Sequence, residues 1–247
     1  MTIHLQAIVF DLDGTLLTID QRFHRVFNDT AEELGGRKIS AKDFSRKFHN
    51  DELYYHPFGS SRKNTAKTRS FWSLFLKSYG KEAYTCYSTS IRGTKQTVTQ
   101  IRRKGIRIAV TTGRMCRART VKHELRNIGI DQCVDVTITK ATALRFKNPH
   151  HATSRRAELR EVLKRLRVGA HECVFVADYV DDIRSAKRLG ISTIAVLSGS
   201  SSFGLLKRED PDHIIKSIRD LPRLLETEFF VGHEKQGKRF YRATSSH

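Results

Sequence analysis

The sequence predicts an α/β protein: a parallel sheet covered by helices on both faces, with a helical insertion after the first strand. Short β-rich runs recur along the chain as LQAIVFD, IRIAVTT, VDVTIT, ECVFVAD and STIAVL. Helical stretches separate most of them, the rhythm of parallel strands joined by crossover helices. The roughly 95 residues between the first two runs carry helical periodicity and no strand. A chain of 247 residues holds one large domain with an insertion of that size.

The elements follow in order. The first strand ends at Asp11. In DQRFHRVFNDTAEELGG, Phe23, Val26, Phe27, Ala31 and Leu34 form one helical stripe that stops at a glycine pair. SAKDFSRKF opens with Ser40 and Asp43, a spacing close to a capping box. TAKTRSFWSLFLKSYG supplies Phe71, Trp72, Leu74, Phe75 and Tyr79, expected to be the insertion's own core. Beyond the second strand, ELREVLKRLRV places Leu159, Val162, Leu163 and Leu166 on one face, with acids early and bases late as the helix dipole favours. DDIRSAKRLG repeats the pattern with Ile183, Ala186 and Leu189 inward and Gly190 as the stop. These readings divide the chain into a core domain over 1–17 and 91–228, a helical insertion over 18–90, and a basic tail over 229–247.

Lys and Arg outnumber Asp and Glu by 45 to 26, a formal charge of +19. Anionic partners fit that balance, whether small phosphates or nucleic acid. The bases are dispersed, so any nucleic-acid binding is expected to be weak, non-specific and sensitive to salt. No run of about 18 apolar residues suggests a membrane span, and the N-terminus lacks the layout of a signal peptide. Cys86, Cys116, Cys133 and Cys173 form no C-x-x-C pair and read as reduced thiols of a cytoplasmic protein.

In a parallel α/β sheet, ligands bind at the carboxyl ends of the strands. The first strand ends in Asp11 and Asp13, and the second in Thr111 and Thr112. The third leads through a loop to RFKNPHH with Lys147, and the fourth ends in ADYVDDI with Asp178, Asp181 and Asp182. Such a set of carboxylates with a hydroxyl and an ammonium suits a hard cation such as Mg²⁺ bridging to a phosphate.

These residues carry a resemblance to the haloacid dehalogenase (HAD) superfamily, within it the phosphoglycolate-phosphatase-like branch, over residues 5 to about 226. IVFDLDGTLL resembles the first motif, which makes Asp11 the nucleophile and Asp13 the general acid/base, with the Asp13 carbonyl offered to Mg²⁺. Thr111 occupies the place of the hydroxyl that holds the phosphoryl group, Lys147 that of the third-motif lysine, and Asp178 and Asp182 those of the metal-binding acids. Gly14, Thr15, Thr112 and Arg114 are the expected substrate contacts. The sequence departs at Ala177, where a glycine is usual, and at Asn148, which separates Lys147 from Pro149. The resemblance implies a Rossmann-like core with a helical cap. Its implied activity is Mg²⁺-dependent hydrolysis of a small phosphorylated metabolite through an aspartyl-phosphate. A phosphomutase and a weakened protein that binds an anionic partner are the alternatives. About 35 residues lie between Thr111 and Lys147, too few for a cap there. Arg22, His24, Arg62, Lys63 and Arg69 of the insertion are the expected specificity residues.

Overall fold

The computed structural model describes residues 3–143 and 154–230. In chain order, the strands are β1 (Ile3–His4), β2 (Ala7–Asp11), β3 (Arg107–Thr112), β4 (Val136–Thr139), β5 (Cys173–Ala177), β6 (Ser192–Val196), β7 (His213–Ile215) and β8 (Phe229–Phe230). The helices are α1 (Asp20–Glu33), α2 (Ala41–His49), α3 (Thr65–Tyr79), α4 (Thr94–Arg103), α5 (Ala118–Asn127), α6 (Lys140–Ala143), α7 (Arg156–Leu166), α8 (Val180–Lys187), α9 (Phe203–Arg208) and α10 (Leu221–Glu228).

Six strands form one parallel sheet in the order β4-β3-β2-β5-β6-β7. The chain builds outward from β2 to β4, then returns to β5 and builds the other way. That reversal opens a crevice at the carboxyl ends of β2 and β5, the usual ligand position in such sheets. The central strands are buried on both faces, and their residues alternate between two cores. Ile8 and Phe10 join α4, α5 and α10 on one side, while Ala7 and Val9 join α7, α8 and α9 on the other.

The sequence missed β7, a three-residue edge strand too short to show a period. It also placed Phe229 and Phe230 in the tail, whereas they pair in parallel with Ile3 and His4. Gly190 stops α8 at φ +71°, as expected of a left-handed terminus. Among the described residues no helix is long and apolar enough to cross a membrane, and all four cysteines are free.

The insertion has its own core of Val26, Phe27, Ala31, Ile39, Phe44, Phe48, Leu53, Phe71, Phe75 and Tyr79. Ser40 caps α2 by accepting from the Asp43 amide at 3.1 Å. Leu34, expected on the buried stripe of α1, caps the helix and is exposed because the helix has ended there. The insertion leaves and rejoins the sheet side by side: Thr18 N donates to Thr89 O at 2.7 Å, and Ile91 N to Leu16 O at 3.0 Å. Both junctions therefore lie next to the end of β2.

Candidate active site

Asp11 ends β2, Thr111 lies one residue from the end of β3, and Asp178 follows β5, so neighbouring strands deliver them to one point. Asp182, one turn into the helix after β5, joins them from α8. All four are buried. Among the described residues, Arg155 is the cation that touches Asp11, Thr111 and Asp182 together. Its Nη2 pairs with Asp11 Oδ1 and lies 3.3 Å from Thr111 Oγ1, while its Nε stands 3.2 Å from Asp182 Oδ1. Arg155 is held in turn by Ser185 Oγ, which accepts its backbone N–H at 3.1 Å. Among the described residues Nη1 meets no aligned hydrogen-bond acceptor, its ion pair with Glu158 Oε1 being 3.8 Å long, so the guanidinium retains donor capacity for another oxygen.

Lys147 lies outside the described residues. Lys140, the first residue of α6, is buried at the end of β4 and donates to Ser154 O at 3.0 Å, bracing the chain just before Arg155.

Asp178 is shaped by its surroundings. Ser200 donates to its Oδ2 from the backbone at 2.7 Å and from the hydroxyl at 2.9 Å, and Thr15 Oγ1 lies 3.4 Å from its Oδ1. Gly14, with φ +80°, and Gly199 pack directly on this carboxylate. A Cβ on either would fall 2.4 or 2.0 Å from Asp178 Oδ2, so only glycine fits. Gly14 and Thr15, expected at the substrate, are thus spent on Asp178. The Ser198–Ser200 turn was missed by sequence reasoning; its signal was the compact S-G-S after β6.

Asp13 turns away toward the insertion. Arg114 Nε donates to its Oδ2 at 2.6 Å, Thr112 Oγ1 lies 3.5 Å from the same oxygen, and Tyr79 Oη donates to Oδ1 at 3.3 Å. Arg114 and Thr112, expected at substrate, both reach Asp13. Of the expected specificity residues, Arg22 is fully buried against Glu124. His24 contacts the Ile39 carbonyl at 2.9 Å. Neither is a free substrate contact.

The electrostatics fit a cation. Burial pushes the Asp11 carboxyl well above its ordinary range, against Arg155, and Asp182, Asp178 and Asp13 add repulsion. Burial pushes Asp178 up to about 6 and raises Asp182 likewise. Burial would also raise Asp13, but the Arg114 guanidinium holds it below its usual value. Among the described residues no three His, Cys, Asp or Glu side chains form a closed metal cage. Mg²⁺ needs none, since it commonly takes one or two carboxylates, a phosphate oxygen and waters. The buried carboxylates of Asp11, Asp178 and Asp182 are oxygens of that kind, and a divalent cation would relieve their mutual repulsion.

A pH prediction follows. The folded pKa of Asp178 lies above its ordinary value, so the metal-free fold binds that proton more tightly than the unfolded chain. Its stability contribution is present at low pH and is lost as pH rises from about 4 through about 6. In EDTA, the melting temperature of the protein relative to Asp178→Asn should therefore fall across that interval, and Mg²⁺ should recover it above pH 7. A difference independent of pH would contradict the assignment.

A family model described as haloacid dehalogenase-like hydrolase matches residues 8–196. A relative from Caldanaerobacter subterraneus subsp. tengcongensis is 28% identical over 225 residues, spanning 90% of this chain and 95% of its own. One from Halalkalibacterium halodurans is 24% identical over 221 residues, spanning 88% and 95%. Both carry the name PpaX, and the second is named a pyrophosphatase. A phosphoglycolate phosphatase from Colwellia psychrerythraea is 24% identical over 212 residues, spanning 78% and 85%. Among solved structures, a predicted phosphatase from Clostridium acetobutylicum superposes with a TM-score of 0.72 at 15% identity, covering 90% of this chain and 99% of that one. This similarity is one of fold.

Proposed function

Because the chain belongs to the haloacid dehalogenase-like hydrolases, we propose that it is a phosphatase in which Asp11 attacks a small phosphorylated substrate. The carrying observation is the convergence of Asp11, Thr111 and Asp182 on Arg155 at the crevice of the sheet. A carboxylate nucleophile facing a phosphate dianion needs positive charge at the point of attack, and Arg155 stands there. Names such as pyrophosphatase and phosphoglycolate phosphatase among the relatives support a small phosphate substrate.

Asp11 Oδ2, left by Arg155 on the other oxygen, is the attacking atom. The phosphoryl oxygens are held by Thr111 and by the Arg155 donors that Asp11 does not use. Lys147, which lies outside the described residues, is a further candidate for that contact. As the ester bond breaks, Asp13 gives a proton to the leaving oxygen, then takes one from the water that hydrolyses the aspartyl-phosphate. Asp11, Asp178 and the Asp13 carbonyl would hold Mg²⁺, which supplies positive charge for nucleophile and phosphate. Asp182 serves chiefly by fixing Arg155. The helical insertion, hinged beside Asp13, acts as the lid that excludes water and bounds substrate size.

The test is a panel of phosphorylated metabolites and pyrophosphate, assayed after chelation and after metal return. Activity is expected to vanish in EDTA and to return with Mg²⁺ rather than Zn²⁺. Full turnover after exhaustive chelation sinks the metal assignment. Transfer of the phosphoryl group to a sugar hydroxyl rather than to water identifies a mutase, and no turnover of any member leaves an anion-binding protein.

A further inference from the structure

A buried chain of side chains joins the insertion to Asp13. Arg114 grips this carboxylate from two nitrogens, with Nε 2.6 Å from Oδ2 and Nη2 paired with Oδ1. Its remaining nitrogen, Nη1, donates to Glu124 Oε2. The other Glu124 oxygen accepts from Arg22 Nη1 at 2.9 Å, and Arg22 Nη2 donates to the Tyr79 carbonyl. Tyr79 closes the chain through its hydroxyl on Asp13, and the guanidiniums of Arg22 and Arg114 lie 4.8 and 5.6 Å from its ring centre. Two arginines balance two carboxylates. Arg22, Arg114 and Glu124 are between 0% and 4% exposed, so each depends on its partners rather than on water. Arg22 and Tyr79 belong to the insertion, while Asp13, Arg114 and Glu124 belong to the core.

We propose that Arg114 is a positioning residue for Asp13 in the second half of the reaction, and that the insertion sets this grip through Glu124 and Arg22. The inference rests on the phosphatase reading above. In that half, a water oxygen bonds to phosphorus while the bond from phosphorus to the Asp11 oxygen breaks. The water proton passes to Asp13, and the products are inorganic phosphate and a free Asp11 carboxylate. The step needs the Asp13 carboxylate fixed as an acceptor. A guanidinium that donates to both of its oxygens holds it in that orientation. Among the described residues Oδ2 meets just Thr112, at 3.5 Å, beyond Arg114, and so keeps an acceptor position for the incoming proton. In the first half Asp13 has to donate instead, and both of its oxygens already face N–H or O–H donors. Loss of the grip therefore slows hydrolysis of the aspartyl-phosphate more than its formation.

With p-nitrophenyl phosphate, whose leaving group needs no proton, the first half reports on Asp11 and the second on Asp13, so a purely structural disturbance of the site would slow both halves together. The discriminating experiment is rapid mixing of the full chain with p-nitrophenyl phosphate and Mg²⁺. Arg114→Ala is expected to release a burst of about one nitrophenolate per active site, larger than in the wild type. A steady rate at least tenfold lower should follow, with KM not raised. Arg114→Lys keeps the buried charge and should recover part of the steady rate. Arg22→Ala touches neither Asp13 nor substrate, and should show the same burst more weakly. Slowing of folded Arg114→Ala and Arg114→Lys without a burst would overturn the proposal, as would a rise in KM at unchanged kcat. A burst in the Arg114 variants but none in folded Arg22→Ala would overturn the insertion's part. Trapping of phosphorylated Asp11 in the wild type is measured alongside. Its absence there would refute the phosphatase mechanism itself, a failure distinct from a missing burst in the variants.

Discussion

Asp11→Asn should abolish turnover while leaving the fold intact. The amide cannot form the acyl phosphate, and loss of a covalent nucleophile costs about four orders of magnitude or more in kcat. The fold should survive because Asn is nearly isosteric and its amide oxygen can still accept from Arg155. Burial already raises the Asp11 carboxyl well above its ordinary range, so a neutral side chain suits this position when no metal is bound. The variant should melt at or above the wild-type temperature in EDTA at neutral pH, and should gain less from Mg²⁺. A folded Asp11→Asn protein with wild-type rates on any accepted substrate would exclude the mechanism.

Replacement of Arg155 should have the next largest effect, on activity and stability together. Arg155→Ala leaves Asp11 and Asp182 buried without their cation, and Glu158 loses a guanidinium nitrogen 3.8 Å away. Breaking a buried pair from one side costs about 3–5 kcal/mol. Protonation of the stranded carboxylates softens that cost at low pH, so the destabilisation should grow as pH rises. Activity should fall by about two to three orders of magnitude, the scale for removing a charged donor from a developing oxyanion. Arg155→Lys should fold better but recover activity only in part, since one ammonium cannot span Asp11, Thr111 and Asp182 as the planar fork does. Parallel melts and kinetics with Lys147→Ala decide between the two cations. The account expects the smaller loss at Lys147, and equal activity in Arg155→Ala and wild type would refute it.

The strands and the carboxylates were plain in the sequence because each is a local signal. The central strands β2 and β5 are nearly continuous apolar runs, as burial on both faces requires. Asp11, Thr111 and Asp178 sit at the ends of such runs, where the position of a strand end fixes the position of the side chain. Arg155, Glu124 and Arg22 were not read as parts of one site, since they are charged residues in basic or mixed stretches that look like solvated helix surface. Each nevertheless extends an inward stripe. Arg155 lies four residues before Leu159 of α7, Glu124 lies beside Val121 and Leu125 of α5, and Arg22 lies four residues before Val26 of α1. Their pairing across 102 residues, in the case of Arg22 and Glu124, depends on how the insertion docks, which periodicity does not carry. Tyr79 illustrates the same limit. Its ring belongs to the insertion core while its hydroxyl reaches Asp13.

The central claim is that Asp11 becomes phosphorylated during turnover. Wild-type protein mixed with substrate and Mg²⁺, acid-quenched within a turnover, treated with borohydride and digested, tests it by peptide mass spectrometry. Borohydride reduces an acyl phosphate and so marks the residue that carried it. The account predicts the mark at Asp11 alone, dependent on substrate and Mg²⁺, and stronger in Arg114→Ala. A mark on another residue, or none at any quench time while substrate is being consumed, would contradict it.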